Sequence, residues 1–448
     1  MAKRALITVG AFEAKEFIFA SASQIGRAIG NREISSLEVT EACLERIREV
    51  NPRLNAVFFL AEESALKGAR MADEELDRGY RRSELHGVPI TVKDWIEVAG
   101  MPCLAGEEKY RGYVPSEDAT VVARMRQAGC IILGKTVVTA DSPVYGRCDN
   151  PYRAGYSPAG SSSGEAAIIA AGGSPLGLGS DSGGSIRDPA NHCGIAGLRP
   201  TTGRVPLTGH LPRINTFVDP RTAIGPMARH VEDLAVALTL LSGPDMRDPS
   251  VAPMPLADWR QVELKGLRGA FYARGGGYEP SQDCEQVAKG VAKALREAGA
   301  EIEETIPPRL DEVWTITREY WSRPGSEGLE DQWLPDGEAK MSAIEVERHL
   351  IQWDRFRRSM LRFMEGFDFI LTPAGEQPPQ PHGEGKGQSY ALPYSLCGYP
   401  SIVVRAGTSS DGLPVGVQII ARPWREDVIL ALAGKIESRF GGWQAPNL

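Results

Sequence analysis

Paired cysteines, paired histidines and long apolar runs are missing from this chain. Its seven cysteines are scattered, odd in number and contain no C-x-x-C pair. A disulfide framework and a cysteine-rich zinc site are thereby disfavoured, and reduced buried thiols in a cytoplasmic protein are expected. The six histidines include no H-x-x-x-H pair, so a histidine metal site is not expected either. The uncharged stretch between Glu165 and Asp181 is broken by glycines and falls short of the about 20 residues a membrane helix needs. At the N-terminus, Lys3 and Arg4 precede a short apolar run that Glu13, Lys15 and Glu16 interrupt, a poor secretory signal. There is no basic stripe, and the formal net charge is −8. Nucleic acid and anionic membrane are therefore not expected as partners.

What remains is a globular composition, 448 residues with 42% hydrophobic. Ser35 and Glu38 form a capping-box pair ahead of a helical pattern of Val39, Cys43, Ile47 and Val50, and Pro52 reads as following its stop. LHGVPITVKD (85–94) reads as a buried strand with Lys93 and Asp94 at its exit. DATVVARMRQAGCIILGKT reads as helix, glycine turn at Gly129, then strand, and GEAAIIAAGG as a short helix. SPLGLGSDSGGSIRDPANHCG reads as a glycine-punctuated loop region. Further on, LKGLRGAFYA, FDFILTPAG and YPSIVVRAG read as strands and EDVILALAGKIESRF as the last helix. EGKGQ (384–388) reads as a mobile tip. The expected fold class is α/β: one α/β/α domain over 1–448 with a mixed, mostly parallel twisted sheet between helices. Residues 85–240 would form its catalytic block. No G-x-G-x-x-G follows the relevant strands, so dinucleotide binding is not expected, and no cofactor is.

The serines carry the first candidate chemistry. Gly160-Ser161-Ser162-Ser163-Gly164 fits the nucleophile elbow G-x-S-x-G, with Ser162 as nucleophile. An elbow follows a strand, however, and NPYRAGYSPAG reads as loop. It also needs a histidine downstream. His349 lies on a helical face, and only His382, in PQPHGEG, sits in a suitable loop. Serine needs a base, and a lysine can serve when burial lowers its pKa. Lys93 at the end of an apolar strand could be that base, although a lysine is ordinarily solvated.

Three stretches taken together, GVPITVKD, AGSSSGE and GSDSGGSIRDP, closely resemble the amidase signature family. The similarity extends from ISSLEVTEACLERIREVNPRLNAV through GLRPTTGRVPLTG and GPMARHVEDLAVAL to GLPVGVQIIARPWRED. The resemblance implies a Ser–Ser–Lys triad: Ser185 as nucleophile, Ser161 as relay after a cis peptide bond, and Lys93 as base. It implies an oxyanion hole from the backbone N–H groups of Ser182, Gly183 and Gly184. Asp181 and Arg187 would brace that loop, with Ser162 as further support. Ala159 and Ser163 stand where the family frequently has glycine.

What the resemblance implies of substrate is coarser: a small amide, carbamate or ester. Val138, Thr139, Ala140 and Tyr145 are candidate pocket residues. The aromatic-rich stretch 310–365 either forms a lid or packs helices onto the sheet; its aromatics are Trp314, Tyr320, Trp321, Trp333, Trp353, Phe356 and Phe363. Without an evident charged cluster for a zwitterion, small neutral aryl or alkyl amides are favoured. The alternatives are a carbamate or ester hydrolase, the glutaminase component of a tRNA-dependent amidotransferase, and a silent binding module. A monomer or homodimer is expected.

Overall fold

A strand buried on both faces lies inside a sheet covered on both sides, and PITVK is such a strand. In the computed structural model, which describes residues 17–214, 220–321, 341–385 and 387–448, β2 (Pro89–Lys93) is buried along its whole length. The other strands in chain order are β1 (Val57–Leu60), β3 (Ile131–Thr136), the short hairpin β4 (Asp141–Ser142) and β5 (Gly146–Arg147), and β6 (Leu176–Asp181). Then follow β7 (Ala196–Arg199), β8 (Ala223–Ala228), β9 (Arg268–Phe271), β10 (Glu301–Glu304), β11 (Phe369–Pro373), β12 (Ser401–Thr408) and β13 (Pro414–Ala421). All but the hairpin join one 11-stranded sheet in the order β1-β3-β2-β6-β8-β7-β12-β13-β11-β9-β10.

The sheet is mixed, but it is not mostly parallel. Parallel pairing is confined to β3–β2–β6 and to β11–β9–β10. Every other neighbour is antiparallel. The α/β alternation read from the sequence marks only those two parallel blocks, while β12 and β13 are joined by a tight connection that can only reverse the chain. Helices flank the sheet, among them Ser36–Leu54, Val231–Leu241, Gln282–Glu297 and Glu426–Phe440. Both halves of the Ser35–Glu38 capping box form. Pro52 lies inside the last turn rather than beyond it; left-handed Asn55 (φ 49°) is the stop.

The larger correction concerns SPLGLGSD. It is the buried strand β6, followed by a turn and the helix Arg187–His192. Its glycines are there for close approach. A Cβ on Gly177 would fall 1.7 Å from Glu165 Oε1, and one on Gly179 would fall 2.8 Å from Met227 Sδ and 3.0 Å from Ser162 Oγ. GCIILGKT (129–136) also fits the phosphate-loop spacing G-x-x-x-x-G-K-T. Its last six residues are β3, with Lys135 wholly buried, so no loop is left to cradle a phosphate.

Described aromatics of 310–365 divide by burial. Trp353 and Phe356, on the helix Ala343–Met364, sit in an apolar cluster with Tyr272, Tyr390 and Tyr394, and Trp353 donates its indole N–H to the Leu396 carbonyl at 2.8 Å. Phe363 stacks obliquely on Phe367, and Trp314 is exposed. Trp333 and the side chains of Tyr320 and Trp321 lie outside the described residues, as does Lys386 of the expected tip. No helix among the described residues is long and apolar enough to cross a membrane.

The helix Ser163–Ala170 runs against backbone. A Cβ on Gly164 would meet the Ala56 carbonyl oxygen at 2.2 Å and the Val137 nitrogen at 2.7 Å. Gly164→Ala is therefore expected to destabilise the protein by about 2–3 kcal/mol, the overpacking range. Denaturant unfolding measures it; a midpoint equal to wild type would show that this contact is not tight.

Candidate active site

Because β2 is central and Lys93 is its last residue, the lysine side chain is carried into the protein and is fully buried. Its Nζ donates or accepts at 2.7 Å with Ser161 Oγ, and lies 3.1 Å from the Ser180 carbonyl oxygen and 3.2 Å from Ser180 Oγ. The Trp95 ring lies 4.1 Å from the same nitrogen. All three hydrogen-bond partners are uncharged. Burial pushes the Lys93 pKa well below its ordinary value, against a smaller opposing pull from Asp181 and Glu165. A neutral amine here can take a proton.

Ser161 is held from both sides. The peptide bond before it is cis, its carbonyl accepts the Thr139 N–H at 3.0 Å, and the N–H of the next residue, Ser162, donates to the Ser185 carbonyl at 3.0 Å. That last bond ties the serine loop to the turn carrying Ser185. Ser162 Oγ points toward the Ser180 carbonyl oxygen at 3.4 Å. Ser163 Oγ closes the loop by donating to the Ala159 carbonyl at 2.5 Å. Ala159 itself has φ +60°, a left-handed conformation that favours glycine.

Ser185 lies in the turn between β6 and the helix Arg187–His192, and Asp181 organises that turn. The Asp181 carboxylate accepts from the Gly184 N–H at 2.8 Å and the Ile186 N–H at 3.1 Å. It also takes a two-point pair from Arg187, with Nε and Nη2 each at 2.9 Å. Burial alone would raise the Asp181 pKa; the Arg187 guanidinium, then Arg199, hold it well below the usual carboxylate range. Arg187 in turn reaches the Ala391 carbonyl (3.0 Å), Gln418 Oε1 (2.7 Å) and Ser395 Oγ (2.6 Å), locking the turn to β13 and to the helix Leu392–Cys397. The Gly184 N–H is thus spent inside the turn. The N–H groups of Ser182, Gly183 and Ser185 donate to no protein acceptor among the described residues. The expected donor set accordingly loses Gly184, because Asp181 already occupies it.

Among the pocket candidates, Thr139 and Ala140 border Gly160, whose Cβ would lie 3.4 Å from Thr139 Cα and 3.7 Å from Ala140 N. Val138 is fully buried. Tyr145 is turned to a different duty. Its hydroxyl donates to Asp94 and accepts the Gly106 N–H at 2.9 Å. Asp94 is also paired with Lys135 at 3.0 Å, both side chains wholly buried. His382 does not approach the serines; its Nε2 meets Asp149 Oδ1 at 2.9 Å.

Four residues near Lys93 escaped the reading of the sequence: Ser180, His210, Trp95 and Glu165. His210 Nε2 lies 3.0 Å from Ser180 Oγ, and its Nδ1 lies 2.9 Å from the Pro212 carbonyl oxygen. Glu165, buried, takes the hydroxyls of Thr91 and Thr136, and burial raises its pKa to about 7. Ser180 and Glu165 fall within the stretches GSDSGGS and GSSSGE, where each was open to notice. Nothing in the spacing of His210 relates it to Lys93.

Comparison with known proteins bears on this geometry. A family model described as Amidase matches residues 38–334 and 330–430. A glutamyl-tRNA(Gln) amidotransferase subunit from Chloroflexus aggregans is 32% identical, over 96% of this chain and 98% of its own length. The acylamidase of Rhodococcus erythropolis is 30% identical, over 93% and 95%. The structure of the native peptide amidase from Stenotrophomonas maltophilia superposes with a TM-score of 0.81 at 28% identity, covering 97% of this chain and 99% of that one.

Removing one partner of a buried pair strands the other charge. Arg187→Ala is expected to cost about 3–5 kcal/mol, with Arg187→Lys recovering only part because lysine cannot bind at two points. The pH dependence has a definite sign. Asp181 has a depressed pKa, so its contribution is complete above the unfolded aspartate value of about 3.9 and is lost as pH falls below it. Unfolding curves from pH 3 to 7 check both effects. Equal stabilities of wild type and Arg187→Ala across that range would refute them.

Proposed function

The chain belongs to the amidase signature family and is a hydrolase of non-peptide C–N bonds; from that premise we propose that Lys93, Ser161 and Ser185 are its catalytic triad. The observation that carries this is the contact of a buried lysine amine, with uncharged partners only, at 2.7 Å from Ser161 Oγ. Neutral Lys93 accepts the Ser161 hydroxyl proton as Ser161 accepts that of Ser185. The Ser185 Oγ–C bond forms, and the carbonyl oxygen becomes an oxyanion facing the Ser182, Gly183 and Ser185 N–H groups. As the C–N bond breaks, the proton returns from Lys93 through Ser161 to the leaving nitrogen. Water then attacks the acyl-enzyme; its proton passes through Ser161 to Lys93, and Ser185 leaves with a proton recovered by the same path. Asp181 and Arg187 hold the turn, and Ser162 holds the serine loop to it. Each of these steps uses only this chain's residues, the substrate and water.

For substrate we favour small neutral aryl or alkyl amides, with Thr139 and Ala140 on the acyl side. The acylamidase and peptide amidase relatives support amide substrates. Carbamates and esters are further candidates for the same triad. A second reading rests on the relative from Chloroflexus aggregans, by whose likeness the chain would be the glutaminase component of an amidotransferase. A cytoplasmic location, in a single domain with no nucleic-acid partner, accords with the acidic balance and unpaired cysteines.

Two results test the triad. Ser185→Ala is expected to lower kcat by at least about 10³-fold and abolish labelling by a fluorophosphonate; full activity in that variant would end the proposal. Because Lys93 must be neutral, kcat/KM should fall as pH drops through its lowered pKa, and Lys93→Arg, always charged, should be inactive at every pH. The purified chain assayed on a p-nitroanilide, an aryl carbamate, an aryl ester and glutamine separates the substrate readings. Preference for the anilide supports the first, and preference for glutamine the second. Silence on all four without labelling of Ser185 leaves a binding module.

A further inference from the structure

For a neutral His210 ring, the hydrogen-bond directions around Lys93 follow from the chemistry of its partners. The Pro212 carbonyl can only accept, so His210, 2.9 Å away, carries its proton on Nδ1. In the neutral ring Nε2 is then an acceptor, and Ser180 Oγ, at 3.0 Å, donates to it. With its proton so committed, Ser180 Oγ presents only lone pairs to Lys93 at 3.2 Å, and the Ser180 carbonyl at 3.1 Å likewise can only accept. Two Lys93 N–H bonds are thereby assigned. The remaining tetrahedral position of the amine faces Ser161 Oγ at 2.7 Å. In the neutral amine that position is the lone pair; in the ammonium it is the third N–H. One set of partners therefore fits both protonation states, and only the Ser161 hydrogen bond reverses.

We infer that His210 is a positioning residue for the base: it holds the Ser180 hydroxyl turned away from Lys93, so that the Lys93 lone pair is directed at Ser161. Without it, the Ser180 hydroxyl is free to rotate and donate to that lone pair, in competition with Ser161. The segment carrying His210 is built to hold still. The Leu211 N–H donates to the Trp95 carbonyl at 2.7 Å and the Glu97 N–H to the Gly209 carbonyl at 2.9 Å. Arg213 reaches both Glu97, at 3.0 Å, and the His210 carbonyl, at 3.0 Å. Trp95 lies between the two groups: its ring is 4.1 Å from Lys93 Nζ and edge-on to His210 at 5.8 Å between centroids. Donor and acceptor are thus set from one rigid patch.

This inference rests on Lys93 being the base, and the experiment separates the two. kcat and KM on the preferred substrate of the panel are measured for His210→Phe, His210→Gln, Ser180→Ala, the double variant His210→Phe/Ser180→Ala, and Lys93→Met. His210→Phe keeps the edge contact to Trp95 but cannot accept the Ser180 proton. It is expected to lower kcat about tenfold, the worth of one hydrogen bond, with KM unchanged. His210→Gln, whose amide oxygen reaches the position of Nε2, should recover part of that loss. Since His210 acts only through the Ser180 hydroxyl, His210→Phe should cost nothing further once Ser180 is alanine. A kcat for His210→Phe equal to wild type overturns the inference, as does an equal loss in both backgrounds or a loss confined to KM. If His210→Phe does not fold, His210→Leu, which likewise cannot accept the Ser180 proton, is read in its place, and a kcat equal to wild type is equally fatal. An active Lys93→Met would instead remove the triad itself.

Discussion

A lysine amine enclosed without a carboxylate against it is the constraint on which this site depends. Burial alone disfavours the ammonium, but a neighbouring carboxylate in contact would restore it, and the amine could no longer take a proton. Two carboxyl groups, Asp181 and Glu165, are close enough to act on it, a third, Asp94, is next to it in the chain, and each is engaged elsewhere. Asp94, the next residue in the chain, is paired with Lys135 and takes the Tyr145 hydroxyl and the Leu104 and Ala105 N–H groups. Asp181 is consumed by Arg187 and the turn. Glu165 sits between two threonine hydroxyls, with its pKa raised to about 7. The fold around Lys93 is in large part a means of keeping these groups from it. The parallel trio β3–β2–β6 supplies the geometry, since Lys135 emerges beside Asp94 from the next strand and Asp181 ends the strand on the other side.

That division of labour explains which parts were legible. The apolar strand ending in Lys93 and the capped helix after Ser35 are local patterns, and local patterns survive in the folded chain. The SPLGLGSD strand was not legible because its signal is inverted. Glycine ordinarily argues against a strand, but here Glu165, Met227 and Ser162 press so closely on β6 that no larger residue fits. That error hid the setting of Ser185: the strand–turn–helix arrangement that the elbow pattern requires is absent at Ser162 and present at Ser185. Spacing alone is equally uninformative at GCIILGKT, where the last six residues of a phosphate-loop spacing are strand β3 and the lysine is paired with Asp94.

Relations across the sheet were out of reach for a different reason. Tyr145 lies in the stretch that borders the serine loop, and from sequence it was a pocket residue; only the fold reveals that its hydroxyl is directed to Asp94. Trp353 and Phe356 could line a lid or pack a core, and composition does not distinguish these. Their place among Tyr272, Tyr390 and Tyr394 gives them the second role, and Arg187 links that same region to the turn carrying Ser185 through Ser395 and the Ala391 carbonyl. His210 is the furthest removed of all, joined to Lys93 only through a serine hydroxyl and a ring tautomer that a carbonyl fixes.

The arrangement also bears on how charge is created during catalysis. In the proposed reaction the resting site gains an ammonium at Lys93 and an oxyanion at the substrate in the same step, both away from water. Coulomb attraction between them is strong in such surroundings, but so is the cost of removing each from solvent. Fixed dipoles offset that cost without moving. The Ser180 carbonyl and hydroxyl oxygens already face the amine, the Trp95 ring lies over it, and in the Ser185 turn Asp181 takes the Gly184 N–H but not those of Ser182, Gly183 and Ser185. Asp181 then has a second role besides bracing. Its negative charge is balanced by Arg187 at rest, yet it still favours the ammonium at Lys93 as that forms. A protonated base is therefore tolerated for the lifetime of the intermediate and disfavoured once the oxyanion is gone, which is the behaviour a returning proton requires.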